Sequence, residues 1–171
     1  MLLLLSSFAS AASLAAGVET GVQMRDFLSL SAPKGREFLP AWEVLVTGGV
    51  EFQTGSGLIV APIVGYGLTL AKGDSFGAAV LLGLGIEADR IDMRISARFE
   101  SEVFGDLTDT RALVELKVGP RFQLSSDFIL VPYGTFGVGG AEYHDVRYFT
   151  NQVGAGIGIT YARHNTVTYI D

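Results

Sequence analysis

Residues 91–100 read Ile91-Asp92-Met93-Arg94-Ile95-Ser96-Ala97-Arg98-Phe99-Glu100. Every odd position is apolar and every even position is polar or charged. Successive side chains of a strand point to opposite faces, so the stretch builds one oily face and one charged face.

The same period of two extends outward in both directions. Upstream, Trp42, Val44, Val46, Val50 and Phe52 oppose Glu43, Thr47 and Glu51. Leu58, Val60, Val64, Tyr66, Leu68 and Leu70 oppose Ala61, Gly65, Gly67 and Thr69. Phe76, Val80, Leu82, Leu84 and Ile86 oppose Gly77, Gly83, Gly85 and Glu87. Downstream, Ala112, Val114, Leu116, Val118, Phe122 and Leu124 oppose Arg111, Glu115, Lys117, Gly119, Arg121 and Gln123. Phe128, Leu130, Phe136 and Val138 oppose Tyr133, Thr135, Gly137 and Gly139. Val153, Ala155, Ile157, Ile159 and Tyr161 oppose Gln152, Gly154, Gly156, Gly158 and Thr160. A first strand over about residues 18–30 is less regular, because Asp26 falls on its apolar face. Eight strands result, each meeting the roughly 9–11 tilted residues that cross a bilayer. Longer polar loops are expected at 32–40, 102–110 and 142–148, and tight turns at 54–57, 88–90 and 125–127. The short 72–74 connection breaks that alternation. Long loops at one end and tight turns at the other suit an outer-membrane barrel, with the loops outside and the turns in the periplasm.

Composition agrees. The 171 residues are 49% apolar, yet mean hydropathy is only +0.38. No apolar run reaches the roughly 20 residues a spanning helix needs. The 22 glycines and 5 prolines suit strands and tight turns. The absence of cysteine excludes a disulfide scaffold and thiolate metal sites. A net charge of −6 offers no basic footprint for nucleic acid. At the N-terminus, Leu2–Leu5 open an apolar stretch through Phe8, followed by Ala9-Ser10-Ala11 and further small residues, the pattern of a signal peptide. No Lys or Arg precedes it. The expected organisation is a signal peptide over 1–16, a barrel over 17–163, and a short tail or stump of a further strand over 164–171.

Alternation also fits a soluble barrel with its apolar face inward. Three features favour lipid outside. Glycines crowd the polar face, where a cramped interior needs room for large, charged neighbours. The inward charges Glu43, Glu51, Glu87, Asp92, Glu100 and Glu115 are nearly matched by Arg94, Arg98, Arg111, Lys117 and Arg121, which suits a filled lumen of paired charges. Aromatics gather near strand ends on the apolar face, as interfacial girdles do: Trp42, Phe52, Phe76, Phe99, Phe122, Phe128 and Tyr161.

The run Gly119-Pro120-Arg121-Phe122, then Val131-Pro132-Tyr133-Gly134 with Phe136-Gly137-Val138-Gly139, then Gln152-Val153-Gly154-Ala155-Gly156-Ile157-Gly158, resembles the small outer-membrane barrels of the opacity-protein and OmpA-like type. The resemblance covers residues 111–161 in motif and about 18–161 in pattern. It implies the fold and leaves the role open, since such barrels include adhesins, anchors and lipid-modifying enzymes. Members usually end on a lipid-facing aromatic residue, whereas this chain ends Thr168-Tyr169-Ile170-Asp171. The run from Phe136 to Tyr169 also resembles lipid A 3-O-deacylases, whose last strand carries a His-x-Ser pair. No His-x-Ser occurs in this sequence, and His164 falls in a turn.

Candidate chemistry is sparse. Glu142, His144 and Asp145 lie close in sequence but match no metal-ligand spacing, and a solvated loop is expected. Asp92, Glu100 and Glu115 could form an acid/base pair, but the arginines around them favour a structural network. Gly154-x-Gly156-x-Gly158 is followed by no helix, so it is not a phosphate loop. The expected protein is therefore an all-β, up-and-down antiparallel transmembrane barrel of eight strands, with ten the second choice. It is expected to be monomeric and non-enzymatic, to bind no cofactor, metal or nucleic acid, and to sit in outer-membrane lipid and lipopolysaccharide. Loops at 32–40, 102–110 and 142–150 would meet any extracellular ligand. The alternatives are a lipid A 3-O-deacylase-like enzyme whose catalytic strand is missing from this chain, as that resemblance implies, and a narrow pore.

Overall fold

A computed structural model describes residues 9–28, 36–54, 59–71, 75–88, 90–104, 107–143 and 146–163. The strands are β1 (Ala9–Leu28), β2 (Arg36–Thr54), β3 (Ile59–Ala71), β4 (Ser75–Ala88), β5 (Ile91–Phe104), β6 (Leu107–Pro120), β7 (Phe122–Gln123), β8 (Phe128–Tyr143) and β9 (Val146–Arg163). Each pairs antiparallel with its neighbour, and the sheet closes through β1–β9 and β6–β8. The two-residue β7 pairs with β8 beyond the end of β6, so the barrel has eight staves. Pro120 has no N–H to donate, and the Arg121 amide instead bonds the Arg90 carbonyl at 2.9 Å. That interruption splits the expected 111–124 strand. Eight-strand closure sets aside the ten-strand alternative. The 164–171 tail, with His164, lies outside the described residues.

The register fixes the geometry. Starting at Phe52 and stepping through Val60, Ile86, Met93, Val118, Gly134, Ala155 and Val22, the row returns to β2 at Trp42. The displacement from 52 to 42 is a shear of ten residues. With ~4.8 Å between strands and ~3.3 Å per residue, eight staves at that shear tilt by about 41° around a backbone radius of about 8 Å. The 13 residues of β3, the shortest stave, then rise about 32 Å, enough for an apolar band of about 25 Å.

Large apolar side chains cover the outside, including Leu14, Trp42, Val64, Leu82, Val114 and Ile157. All seven aromatics expected in the girdle are exposed there, and Phe128 and Tyr161 touch, with ring centroids 5.3 Å apart. Asp26, on the outward parity of β1, is nevertheless buried. The apolar face points out and the charged face points in.

The strands run longer than the sequence pattern indicates. β5 continues to Phe104 and β6 starts at Leu107, so the expected 102–110 loop is mostly strand. β8 reaches Tyr143 and β9 starts at Val146, which removes most of the 142–150 loop; His144 and Asp145 lie outside the described residues. β2 begins at Arg36, inside the expected 32–40 loop. Toward the loop end polar residues such as Ser101 and Thr110 join the outward face, so the alternation fades although the hydrogen-bonded ladder continues. β1 starts at Ala9, and its residues 9–16 pair with β2 within the segment expected to be a leader.

Candidate functional site: the braced lumen

The inward faces fall into four quadrants of two staves each. On β1 and β2 they carry Glu19, Gln23, Arg25, Glu43 and Glu51. Diametrically opposite, β5 and β6 carry Asp92, Arg94, Arg98, Glu100, Glu102, Asp109, Arg111, Glu115 and Lys117. Between them, β3 and β4 present mostly small or apolar residues, among them Ala61, Gly65, Gly67, Ala79, Leu81, Gly83 and Gly85. The quadrant facing that pair, β8 and β9, presents Val131, Gly137, Gly139, Gly154, Gly156 and Gly158, with Ile129, Tyr133, Tyr148 and Gln152 among its large members.

The charged quadrants meet across the lumen. Arg94 on β5 donates to both carboxylate oxygens of Glu19 on β1, at 2.7 and 3.1 Å. These staves are four steps apart in either direction, so the pair spans a diameter. Lys117 on β6 reaches the same Glu19 at 3.0 Å and Asp92 at 3.3 Å. Arg25 on β1 crosses back to Glu100 at 3.2 Å and to Glu102. Arg98 contacts Glu43 on β2, its neighbour Glu100, and Glu115 at 3.4 Å. Gln152 donates to Glu115 at 3.2 Å, and Thr69 to Glu102 at 3.1 Å. Asp109 holds Arg111 at 2.7 Å. At the turn end, Arg121 pairs with Glu87 at 2.5 Å, and Ser13 donates to Glu51 at 3.2 Å. Buried charges persist only when paired and hydrogen-bonded, and here the partner often sits on the far wall.

All eleven residues expected in the network face inward. Glu51 has a serine as its hydrogen-bond partner, and the other ten take part in ion pairs. Four more members were not anticipated: Glu19, Arg25, Glu102 and Asp109. Glu19, Gln23 and Arg25 keep strict parity on β1, a signal obscured by Asp26. Glu102 and Asp109 lie in the 102–110 stretch, whose polar composition predicts a loop. The near-balance of charge is also corrected. Among the described residues, inward carboxylates are Glu19, Glu43, Glu51, Glu87, Asp92, Glu100, Glu102, Asp109 and Glu115, nine against the six cations Arg25, Arg94, Arg98, Arg111, Lys117 and Arg121.

Glycine makes the space, but often for uncharged neighbours. A Cβ on Gly65 would sit 2.8 Å from Leu81, and one on Gly67 the same distance from Leu45. On Gly156 it would meet the Tyr133 hydroxyl at 2.6 Å. The Tyr133 ring in turn lies 5.1 Å from the Lys117 ammonium, a cation–π contact. The space remaining beside Glu19, Glu51, Glu87 and Asp92 is about 30 Å³, on the scale of one or two waters.

No family model matches the chain, and no curated protein does. Among solved structures, the chain is similar to Neisserial surface protein A, at 12% identity and a TM-score of 0.60, over 88% of this chain and 97% of that one. It also aligns with outer membrane protein AlkL in lipid bilayers, at 11% identity and a TM-score of 0.46, over 96% of this chain and 95% of that one. The fold is that of the small outer-membrane β-barrels.

Proposed function

We propose that this chain is an outer-membrane protein of a Gram-negative bacterium, exported by a leader, whose barrel anchors its loop-end strand extensions for surface contact without transport or catalysis. The supporting observation is the pairing of Arg94 with Glu19 across the full diameter of the barrel. A conducting lumen needs a continuous wet path, and the middle of this one holds long side chains from facing walls. In this reading the strand ends near 104 and 107, and near 143 and 146, carry the contact surface.

The chain has no native cysteine, which makes the test direct. Asp145→Cys and Ser126→Cys variants are expressed in a Gram-negative host, and intact cells are treated with a membrane-impermeant maleimide. Labelling of residue 145 alone, with the protein in the outer-membrane fraction, supports the proposal. Labelling of residue 126 alone reverses the orientation, and recovery in the soluble periplasm overturns the proposal.

A further inference from the structure

Among the described residues, the outer wall has a depression with a volume of about 980 Å³ at the loop end of β5, β6, β8 and β9. Register explains its shape. Phe99, Ala112, Gly140 and Phe149 form one row across the four staves. All four face outward and are exposed. Two bulky rings therefore flank a two-stave floor of a methyl group and a hydrogen. A Cβ on Gly140 would have nothing within 4 Å. The next outward row toward the loop end is Ser101, Thr110, Glu142 and Arg147. The trough is thus apolar below and polar above. Arg147 bonds Glu142 through Nε at 2.8 Å and is 85% exposed, so its terminal nitrogens remain open to an outside acceptor.

We infer that this trough is a binding site for one lipid A molecule, with an acyl chain laid along Ala112 and Gly140 between the two rings and a phosphate against Arg147. The trough is continuous with the lipid-facing band, where an unfilled depression forfeits dispersion contacts along its whole lining. Its polar row stands where headgroups begin, and an arginine with free terminal nitrogens matches a phosphate. Lipid A is the occupant rather than a phospholipid because the trough opens toward the loop end. This choice rests on the orientation proposed above.

The test uses the full barrel purified in a neutral detergent and mixed with lipid A, phosphatidylglycerol or phosphatidylcholine. Native mass spectrometry counts the lipids retained. The expected result is one lipid A per barrel, retained about tenfold better than phosphatidylcholine, whose choline cation offsets the phosphate charge that Arg147 would meet. Gly140→Trp fills the trough from a position whose Cβ meets no atom within 4 Å and abolishes retention; unchanged heat-modified gel mobility shows that the variant is folded. Arg147→Gln keeps binding but loses the preference for net-anionic lipid A over zwitterionic phosphatidylcholine. Equal retention by wild type and Gly140→Trp overturns the site. Preferential retention of phosphatidylglycerol over lipid A overturns the occupant. The cysteine-labelling experiment reports orientation separately, so its failure is distinguishable from both.

Discussion

The β1–β2 and β5–β6 quadrants carry nearly all the charge of the lumen, while β3–β4 and β8–β9 carry most of its glycine and alanine. The two kinds of wall depend on each other. A backbone cylinder of about 8 Å radius cannot admit long side chains from every direction. Arginines crossing from β5 to β1 are accommodated because the flanking walls are cut back to hydrogen atoms and methyl groups. Charge and glycine content are therefore one design decision, and disturbing either should damage the other.

The charged quadrants should be the more sensitive. Arg98 touches Glu43, Glu100 and Glu115, so Arg98→Ala removes the cation these three buried carboxylates share and leaves Glu43 with only the Gln23 amide among the contacts described. The expected loss is about 3–5 kcal/mol, read from urea unfolding of the refolded barrel in detergent. Replacing both members of the diametric pair, Arg94→Met with Glu19→Leu, removes charges of opposite sign together. It should cost less than Glu19→Leu alone, which leaves Arg94 and Lys117 facing one another. A double mutant no more stable than the single would break the idea that the pair acts as a unit.

On the smooth walls the sensitive property is space. A Cβ on Gly139 meets the Leu113 Cα at 2.8 Å, backbone that cannot swing aside, while Gly140 faces open lipid. Gly139→Ala should destabilise by about 1–3 kcal/mol. Gly140→Ala should leave the unfolding midpoint within error. Equal effects at these adjacent positions would contradict the assignment of inside and outside. The exposed Glu142–Arg147 pair marks the small end of the scale, and Arg147→Ala should not shift the midpoint measurably in ordinary salt.

Much of this was legible in the sequence where lipid meets the wall. Residues 91–100 display both faces of β5 with no exception, and every aromatic expected outside is outside. Legibility fails beyond the lipid band. Ser101 and Thr110 are outward, and Glu102 and Asp109 are inward, so polar residues occupy both faces and the strand imitates a loop. It fails differently on β1, where Asp26 on the outward parity obscured the inward series Glu19, Gln23 and Arg25. The cross-lumen pairings were not readable at all. They follow from a shear of ten residues, a property of closure that no single strand contains.

The most direct test of a braced, closed lumen is single-channel recording from the purified barrel in a planar bilayer. The wild-type protein should show no steady conductance, and a variant carrying both Arg94→Ala and Arg98→Ala should show discrete open events. A stable ohmic conductance from the wild type, unchanged by removing those arginines, would mean that the braces do not close the lumen.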